Sequence, residues 1–128
     1  MLKISIYSFS YKKGIPDDKG GNGGGFVFDC RGLPNPGRYE SYKNKTGNDK
    51  EVIDFLRKEA AVQDFLDAIQ KVISVNIDNY IERRFSNLSI YFGCTGGQHR
   101  SVYCANTIKK LTILKYPQAS VELKHLEL

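Results

Sequence analysis

The sequence predicts an α/β domain in which helices flank a mixed or parallel sheet. Three observations support this fold class. Short apolar segments with the period of a strand are followed by longer segments with the period of a helix. The chain ends in a strand, a glycine-rich loop, a helix and a further strand, which is the order of a βαβ unit. Its length of 128 residues fits one domain, so we expect a single domain over residues 1–128.

The first part of the chain predicts two strands separated by a loop. Residues 2–9 alternate polar and apolar side chains, and residues 26–30 (Phe-Val-Phe-Asp-Cys) predict a second strand. Between them, residues 12–25 contain a run of five glycines and one asparagine at 20–25. We expect this loop to be flexible, because so much glycine holds no fixed shape without partners. Residues 32–47 then predict irregular chain, since prolines and glycines interrupt it.

The remaining elements alternate between helix and strand. Asn48 is the expected N-cap of a first helix that ends near Glu59, because Glu51 follows in the capping-box position. Apolar residues with i, i+3, i+4 spacing predict a second helix over 62–83. The later elements are predicted as a strand over 88–92, a helix over 100–115 that Pro117 terminates, and a strand over 120–126.

Composition excludes several classes of protein. No apolar run approaches the roughly 20 residues of a membrane-spanning helix, and the N-terminus lacks a signal-peptide cleavage site. We therefore expect a cytoplasmic protein without membrane contact. Three cysteines and no CxxC or paired-histidine spacing argue against a disulfide framework and a structural zinc site, and we expect neither metal nor cofactor. The net charge of +5 is compatible with phosphorylated ligands or nucleic acid.

The loop between the third strand and the third helix has the composition of an anion site. Gly96 and Gly97 allow the backbone to approach a ligand, and the helix that follows directs its unpaired N-terminal amides at the same point. Side-chain donors in or beside the loop are supplied by Thr95, Gln98, His99, Arg100 and Ser101. Since the chain contains no GxxxxGK[ST] motif, we do not expect nucleotide hydrolysis.

The same loop spells Cys-x5-Arg-Ser from Cys94 to Ser101, which resembles the phosphate loop of protein tyrosine phosphatases. That resemblance implies a nucleophilic Cys94 and a phosphate-binding Arg100. Asp29 is the only candidate for a general acid. Gly93 stands where the phosphatases have histidine, and no separate acid loop is evident. We therefore expect binding without catalysis, and keep a cysteine-dependent phosphatase as the alternative.

Three separated motifs are similar to the C-terminal domain of the RapZ family. They are the run from Phe26 to Pro36, the pair Thr46-Gly47, and the run Gly-Cys-Thr-Gly-Gly-Gln-His-Arg-Ser-Val-Tyr at 93–103. The resemblance extends from about residue 25 to residue 111. It implies a fold like a phosphofructokinase subdomain, and family members carry an N-terminal P-loop kinase-like domain that this sequence does not include.

The resemblance also implies ligands and partners. These are a phosphosugar such as glucosamine-6-phosphate, a small regulatory RNA, a ribonuclease and, in a homo-oligomer, further copies of the chain. It places Thr95, Gly96, Gly97, His99 and Arg100 on one wall of a sugar-phosphate pocket, and Asp29, Arg31 and Asn35 on the other. The sequence departs from the family at Gly37, where sugar-binding members have histidine. Arg38 is the nearest replacement donor.

Other readings of these residues stay open. Asp29 and Arg31 are compatible with a structural ion pair as well as with a pocket wall. The cations Lys109, Lys110, Lys115, Arg83 and Arg84 suit a solvated surface or an RNA-phosphate footprint. Three functions therefore remain: a phosphosugar-binding RNA adapter, a cysteine-dependent phosphatase, and a purely structural domain of a kinase-like protein.

Overall fold

A computed structural model describes residues 1–22 and 24–128. Within these residues the chain forms, in order, β1 (Lys3–Ser10), β2 (Phe26–Asp29), α1 (Lys50–Arg57), α2 (Ala60–Glu82), β3 (Asn87–Cys94), α3 (Arg100–Lys115) and β4 (Ser120–His125). Two short 3₁₀ helices, Pro36–Arg38 and Glu40–Tyr42, lie between β2 and α1.

The strands form one sheet in the order β2-β3-β1-β4, and every neighbouring pair is parallel. This confirms the predicted α/β class and settles the sheet as parallel. β3 lies inside the sheet and is buried from Leu88 to Cys94, as its apolar sequence requires. Because parallel strands share one direction, the segments that follow β1, β2 and β3 leave the sheet at the same edge.

One hydrophobic core lies between the sheet and the helices. Ile4 and Ile6 of β1 point into it, and Leu88 and Ile90 of β3 lie beside them in register. The helices contribute Val62, Leu66, Ile69, Ile73 and Ile77 from α2, with Cys104, Ala105 and Ile108 from α3. On the other face of the sheet, the Tyr7 ring stacks on the Tyr91 ring, with ring centroids 5.0 Å apart.

The predicted cap of the first helix is wrong by one residue. The N-cap is Asp49, not Asn48, and α1 begins at Lys50. The Asp49 carboxylate accepts a hydrogen bond from the Thr46 N–H at 2.7 Å, whereas the Asn48 side chain accepts one from the Asn106 amide at 2.7 Å. Asn48, which the capping-box pattern assigned as the N-cap, is therefore hydrogen-bonded to α3 instead.

β3 also extends further than predicted, through Gly93 and Cys94, which pair with Phe9 and Ser10 of β1. A Cβ at Gly93 would overlap the rings of Phe9 and Tyr11. The glycine therefore allows aromatic packing inside the strand instead of starting the turn.

In the glycine-rich loop after β1, one carboxylate accepts hydrogen bonds both from the loop backbone and from β3. Asp18 accepts hydrogen bonds from the Gly20, Asn22 and Gly24 amides at 3.0–3.3 Å, and from the Ser89 and Tyr91 hydroxyls at 2.9 and 3.3 Å. The Gly20 amide, followed by the other donors, lowers the pKa of Asp18 below its ordinary value despite partial burial. Gly23 lies outside the described residues, and the flexibility of the loop stays a prediction.

Replacing Asp18 should destabilise the fold in a pH-dependent way. We expect Asp18→Ala to lower the free energy of unfolding by about 1–2 kcal/mol, because five donors lose their acceptor at a partly exposed site. Urea unfolding measures this change. The exposed neighbour provides the control, since Asp17→Ala should change stability by less than about 0.5 kcal/mol.

The lowered pKa fixes the sign of the pH effect. A carboxyl with a depressed folded-state pKa contributes stability above its unfolded pKa of about 3.9, and that contribution is lost as the pH falls through the folded value. The stability difference between the parent and Asp18→Asn should therefore shrink below about pH 4. A difference that is independent of pH would contradict the role assigned to Asp18.

Candidate anion-binding site

A pocket of about 200 Å³ lies at the edge of the sheet where β3 ends. It is lined by Asn35, Gly37, Lys43, Cys94, Thr95, Gly96, Gln98, His99 and Arg100. Its volume is below the range of about 300–1,000 Å³ that holds drug-sized ligands. The pocket therefore suits a phosphate group with a small attached molecule.

The N-terminus of α3 forms the floor of this pocket. His99 occupies the N-cap position without a side-chain cap hydrogen bond, and hydrogen bonds from the Ser101 and Gly97 amides help to lower the pKa of the Cys94 thiol. Gly97 has φ +67°, which places the turn in the left-handed region. Amides that converge ahead of a helix favour a negative charge at this point.

The segment before α1 packs directly on this helix end. The Gln98 side-chain amide donates to the Lys43 and Lys45 carbonyls, both at 2.7 Å, and the Gly47 N–H donates to the Gln98 carbonyl at 2.9 Å. A Cβ at Gly47 would lie 2.5 Å from the His99 carbonyl oxygen. Gly47 is therefore needed for close approach, and Gln98 lines the pocket with its amide nitrogen already engaged.

Arg100 is the buried cation of the site, with 5% of its surface exposed. Its Nη1 donates to the Arg31 carbonyl at 2.7 Å and to the Leu33 carbonyl at 3.1 Å. Its Nε is buried and, within the described part of the chain, has no hydrogen-bond partner. An unpaired buried donor costs about 1–3 kcal/mol, so an anion that accepts from Nε would recover that energy.

His99 directs one ring nitrogen to the backbone and the other toward Gly37 in the pocket wall. Its Nε2 lies 2.8 Å from the Tyr42 carbonyl, which can only accept, so Nε2 carries the proton. In the neutral ring, Nδ1 is then an acceptor. It faces Gly37, where a Cβ would lie 3.4 Å away.

Cys94 forms part of the wall beneath the glycine turn. Its sulfur lies 3.1 Å from the Ser101 hydroxyl oxygen. Burial opposes ionisation of the thiol, but hydrogen bonds from the Ser101 hydroxyl and from the Ser101 and Gly97 amides, with the charge of Arg100, lower its pKa overall. The C-terminal end of β3 thus places a thiol beside the same hydrogen-bond donors that suit an anion.

Comparison with known sequences identifies the family. The sequence profile of the RapZ C-terminal domain matches residues 2–128. The chain belongs to this family.

Bacterial relatives show how much of a longer protein this RapZ C-terminal domain represents. It is 36% identical over 125 residues to a nucleotide-binding protein of Fervidobacterium nodosum, covering 98% of this chain and 43% of that protein. It is 40% identical over 127 residues to one of Ruegeria sp., covering 99% and 40%. It is 38% identical over 127 residues to one of Thermotoga neapolitana, covering 99% and 43%. The chain thus spans about two fifths of these relatives.

The wall that the RapZ resemblance assigned to the first motif is only partly present in the pocket. Asn35 and Gly37 line it, and the Asn35 side-chain oxygen accepts from the Gly37 N–H at 2.9 Å. Arg31 and Asp29 form a bidentate ion pair outside the lining, with atoms 2.7 and 2.9 Å apart. Hydrogen bonds from Arg31 lower the pKa of Asp29. Arg38 is exposed and lies outside the lining.

Lys43 lines the pocket of this RapZ domain but was not predicted from sequence. It follows the second 3₁₀ helix and pairs with Glu40 at 3.0 Å on the exposed surface. Lys43 lies three residues before the Thr46-Gly47 motif, and this closeness in sequence is a signal that could have identified it. In the structure, the Gln98 amide holds this segment against the pocket through the Lys43 and Lys45 carbonyls.

The predicted RNA-binding cations lie away from this pocket. Lys109 and Lys110 line a separate groove of about 910 Å³, bounded by α1, α2 and α3. The ammonium of Lys115 donates to the Ser74 hydroxyl at 3.0 Å. Arg83 lies 4.6 Å from the Phe85 ring centroid, and Arg84 has φ +58° after α2.

Within residues 1–22 and 24–128, none of the helices combines the length and the apolar character that crossing a membrane requires. The same residues contain no cluster of three histidine, cysteine or acidic side chains able to hold a metal ion.

The adjacent glycines of the loop should respond differently to alanine. A Cβ at Gly97 would lie 3.0 Å from the Phe9 backbone carbon, and an alanine there would have to adopt the left-handed φ of +67°. A Cβ at Gly96 would meet none of the described residues within 4 Å. Gly97→Ala should therefore lower the free energy of unfolding by about 1–3 kcal/mol. Gly96→Ala should lower it by less than about 1 kcal/mol. Paired chemical denaturation curves test this, and equal effects would show that the turn is not constrained as described.

Proposed function

We propose that this RapZ-family domain binds a phosphate or a phosphosugar of the glucosamine-6-phosphate kind and does not transform it. The observation that carries the proposal is Arg100, a buried cation at the N-terminus of α3 whose Nε has no acceptor in the described part of the chain. A phosphate oxygen is the natural partner for such a donor beside converging amides. Thr95, exposed at the pocket rim, adds a hydroxyl.

The relatives support the class of ligand. They are named nucleotide-binding proteins, and nucleotides present phosphate groups. Since this chain spans about two fifths of their length, the name describes a longer protein. We therefore transfer only the preference for a phosphate-bearing ligand to this pocket.

The attached sugar would be recognised by acceptors. In its neutral form the His99 ring presents Nδ1 as an acceptor next to Gly37, and a ligand hydroxyl or ammonium group would donate to it. Glucosamine-6-phosphate has both kinds of donor together with a phosphate. Gly37 leaves open the space that the family's histidine would fill. Asp29, Arg31 and Arg38 stay predicted contacts for a part of the ligand that extends beyond the pocket.

The adapter role is the second part of the proposal. Lys109, Lys110, Lys115, Arg83 and Arg84 would bind phosphates of a small regulatory RNA, with a ribonuclease and further copies of the chain as partners in the cytoplasm. Lys109 and Lys110 support this part best, because they adjoin each other on α3 beside a groove. The groove also contains Asp67, so we expect modest affinity.

A cysteine-dependent phosphatase is the second candidate. The Ser101 hydroxyl at 3.1 Å from the Cys94 sulfur and the lowered pKa of this thiol favour it, because an activated nucleophile needs a stabilised thiolate. Asp29, the candidate acid, is paired with Arg31 and lies outside the pocket lining. Its lowered pKa favours the ionised form, which cannot donate a proton to a leaving group. We therefore rank binding above catalysis.

Removal of the buried cation tests phosphate binding. Arg100→Ala deletes a charge-assisted contact worth roughly 1.5–3 kcal/mol, so phosphate affinity should fall at least about tenfold by calorimetry. Arg57→Ala, which removes an exposed arginine of α1, should leave the affinity unchanged. Glucosamine-6-phosphate titrated in parallel reports the contribution of the sugar.

Arg100 also supports the fold through two carbonyls, so a second variant is needed. Thr95→Ala removes an exposed hydroxyl, should keep the parent's stability and should weaken phosphate binding severalfold. Parent-like affinity in both variants would refute the pocket as the phosphate site.

Salt dependence tests RNA binding. If the lysines bind phosphates, the log of the affinity should fall with log salt concentration by about 0.7 per contact for a single strand. Replacing Lys109 and Lys110 together by Glu should reduce that slope and weaken RNA binding while sparing phosphate binding. No retention of RNA at low salt would remove the adapter role from this domain.

Hydrolysis of p-nitrophenyl phosphate separates the two candidate functions. We expect neither the parent nor Cys94→Ser to release nitrophenol, because Asp29 is not placed to protonate the leaving group. A burst of nitrophenol from the parent that Cys94→Ser abolishes would establish the phosphatase instead.

A further inference from the structure

The three cysteines differ in whether they line the pocket. All three are unbridged and buried, but Cys94 contributes to the pocket wall, whereas Cys30 and Cys104 do not. Cys30 and Cys104 have no exposed surface and belong to the hydrophobic core. A small uncharged reagent that enters the pocket therefore meets one thiol.

The surroundings of that thiol are those of a stabilised thiolate. The Ser101 hydroxyl lies 3.1 Å from its sulfur. Arg100, with 5% of its surface exposed, lines the same pocket, and its buried Nε has no hydrogen-bond partner among the described residues. This second observation indicates a place for negative charge. The resulting pKa of Cys94 is lowered, while the hydrogen bond with Cys104 and burial raise that of Cys30.

We infer that Cys94 is a thiol that hydroperoxides oxidise to the sulfenic acid, and that an anion bound in the pocket shields it from this reaction. The thiolate sulfur attacks one peroxide oxygen, so that an S–O bond forms as the O–O bond breaks. The sulfur loses two electrons and the peroxide gains them. The departing hydroxide or alkoxide takes a proton from water, and the Cys94 sulfenic acid remains.

The shielding rests on the proposed function. Phosphate would use the amides and the guanidinium that stabilise the thiolate, so the anion and the peroxide compete for one space. At a phosphate concentration nine times its Kd, one tenth of the sites are free. The oxidation rate should then fall about tenfold.

The unmodified chain provides the test, with its other cysteines as internal controls. The reduced protein is exposed to hydrogen peroxide and dimedone, and labelled peptides are identified by mass spectrometry. We expect labelling of Cys94 alone in the folded protein and of all three cysteines in urea. Ser101→Ala should slow the labelling, because it removes the hydroxyl next to the sulfur. Sodium chloride at matched ionic strength should not protect as phosphate does.

The outcomes separate this inference from the proposed function. Absence of label on Cys94 in the folded chain, or equally fast labelling of Cys30 or Cys104, overturns the inference. If calorimetry shows phosphate binding while Cys94 stays unlabelled, only the thiol inference fails. If Cys94 is labelled but phosphate neither binds nor slows the reaction, the shielding and the proposed function fail together.

Discussion

The site depends on the burial of one cation, Arg100, where the sheet ends and α3 begins. A buried charge is costly unless polar groups surround it. The chain supplies the Arg31 and Leu33 carbonyls to one end of the guanidinium, and Nε has no acceptor within residues 1–22 and 24–128. The carbonyls join the segment after β2 to the helix. The unpaired Nε gives up stability of about 1–3 kcal/mol.

A second contact explains why three motifs far apart in sequence occur together. The parallel sheet brings the ends of β2 and β3 to one edge, and Arg100 joins them. The Thr46-Gly47 segment is added through the Gln98 carbonyl, and it packs at a distance that excludes a side chain at Gly47. The Tyr42 carbonyl then fixes the tautomer of His99. Each motif therefore contributes backbone atoms to the site.

The sequence predicted the order and type of the α-helices and strands, because hydrophobic period and glycine or proline breaks are local signals. It did not predict the two 3₁₀ helices, which lie in the segment expected to be irregular. The glycine loop was also identifiable, since its donors lie within seven residues. Tertiary hydrogen bonds were not predictable in the same way. They engage Asn48 with α3, turn the His99 donor toward Tyr42, and bring Lys43 to the pocket. Whether Arg31 faces a ligand or Asp29 depends on side-chain direction, which spacing alone does not specify.

The two ends of the pocket differ in polarity, and this difference constrains the ligand more than the net charge does. At the α3 end, the helix N-terminus and the buried guanidinium of Arg100 favour an anion. At the Gly37 end, the Nδ1 of His99 offers a lone pair when the ring is neutral. A bare sulfate ion has acceptor oxygens only, so it satisfies the first end and leaves the second unpaired. A phosphomonoester that carries hydroxyl or ammonium donors satisfies both. Under the proposed function, the arrangement therefore favours such a compound over a simple anion.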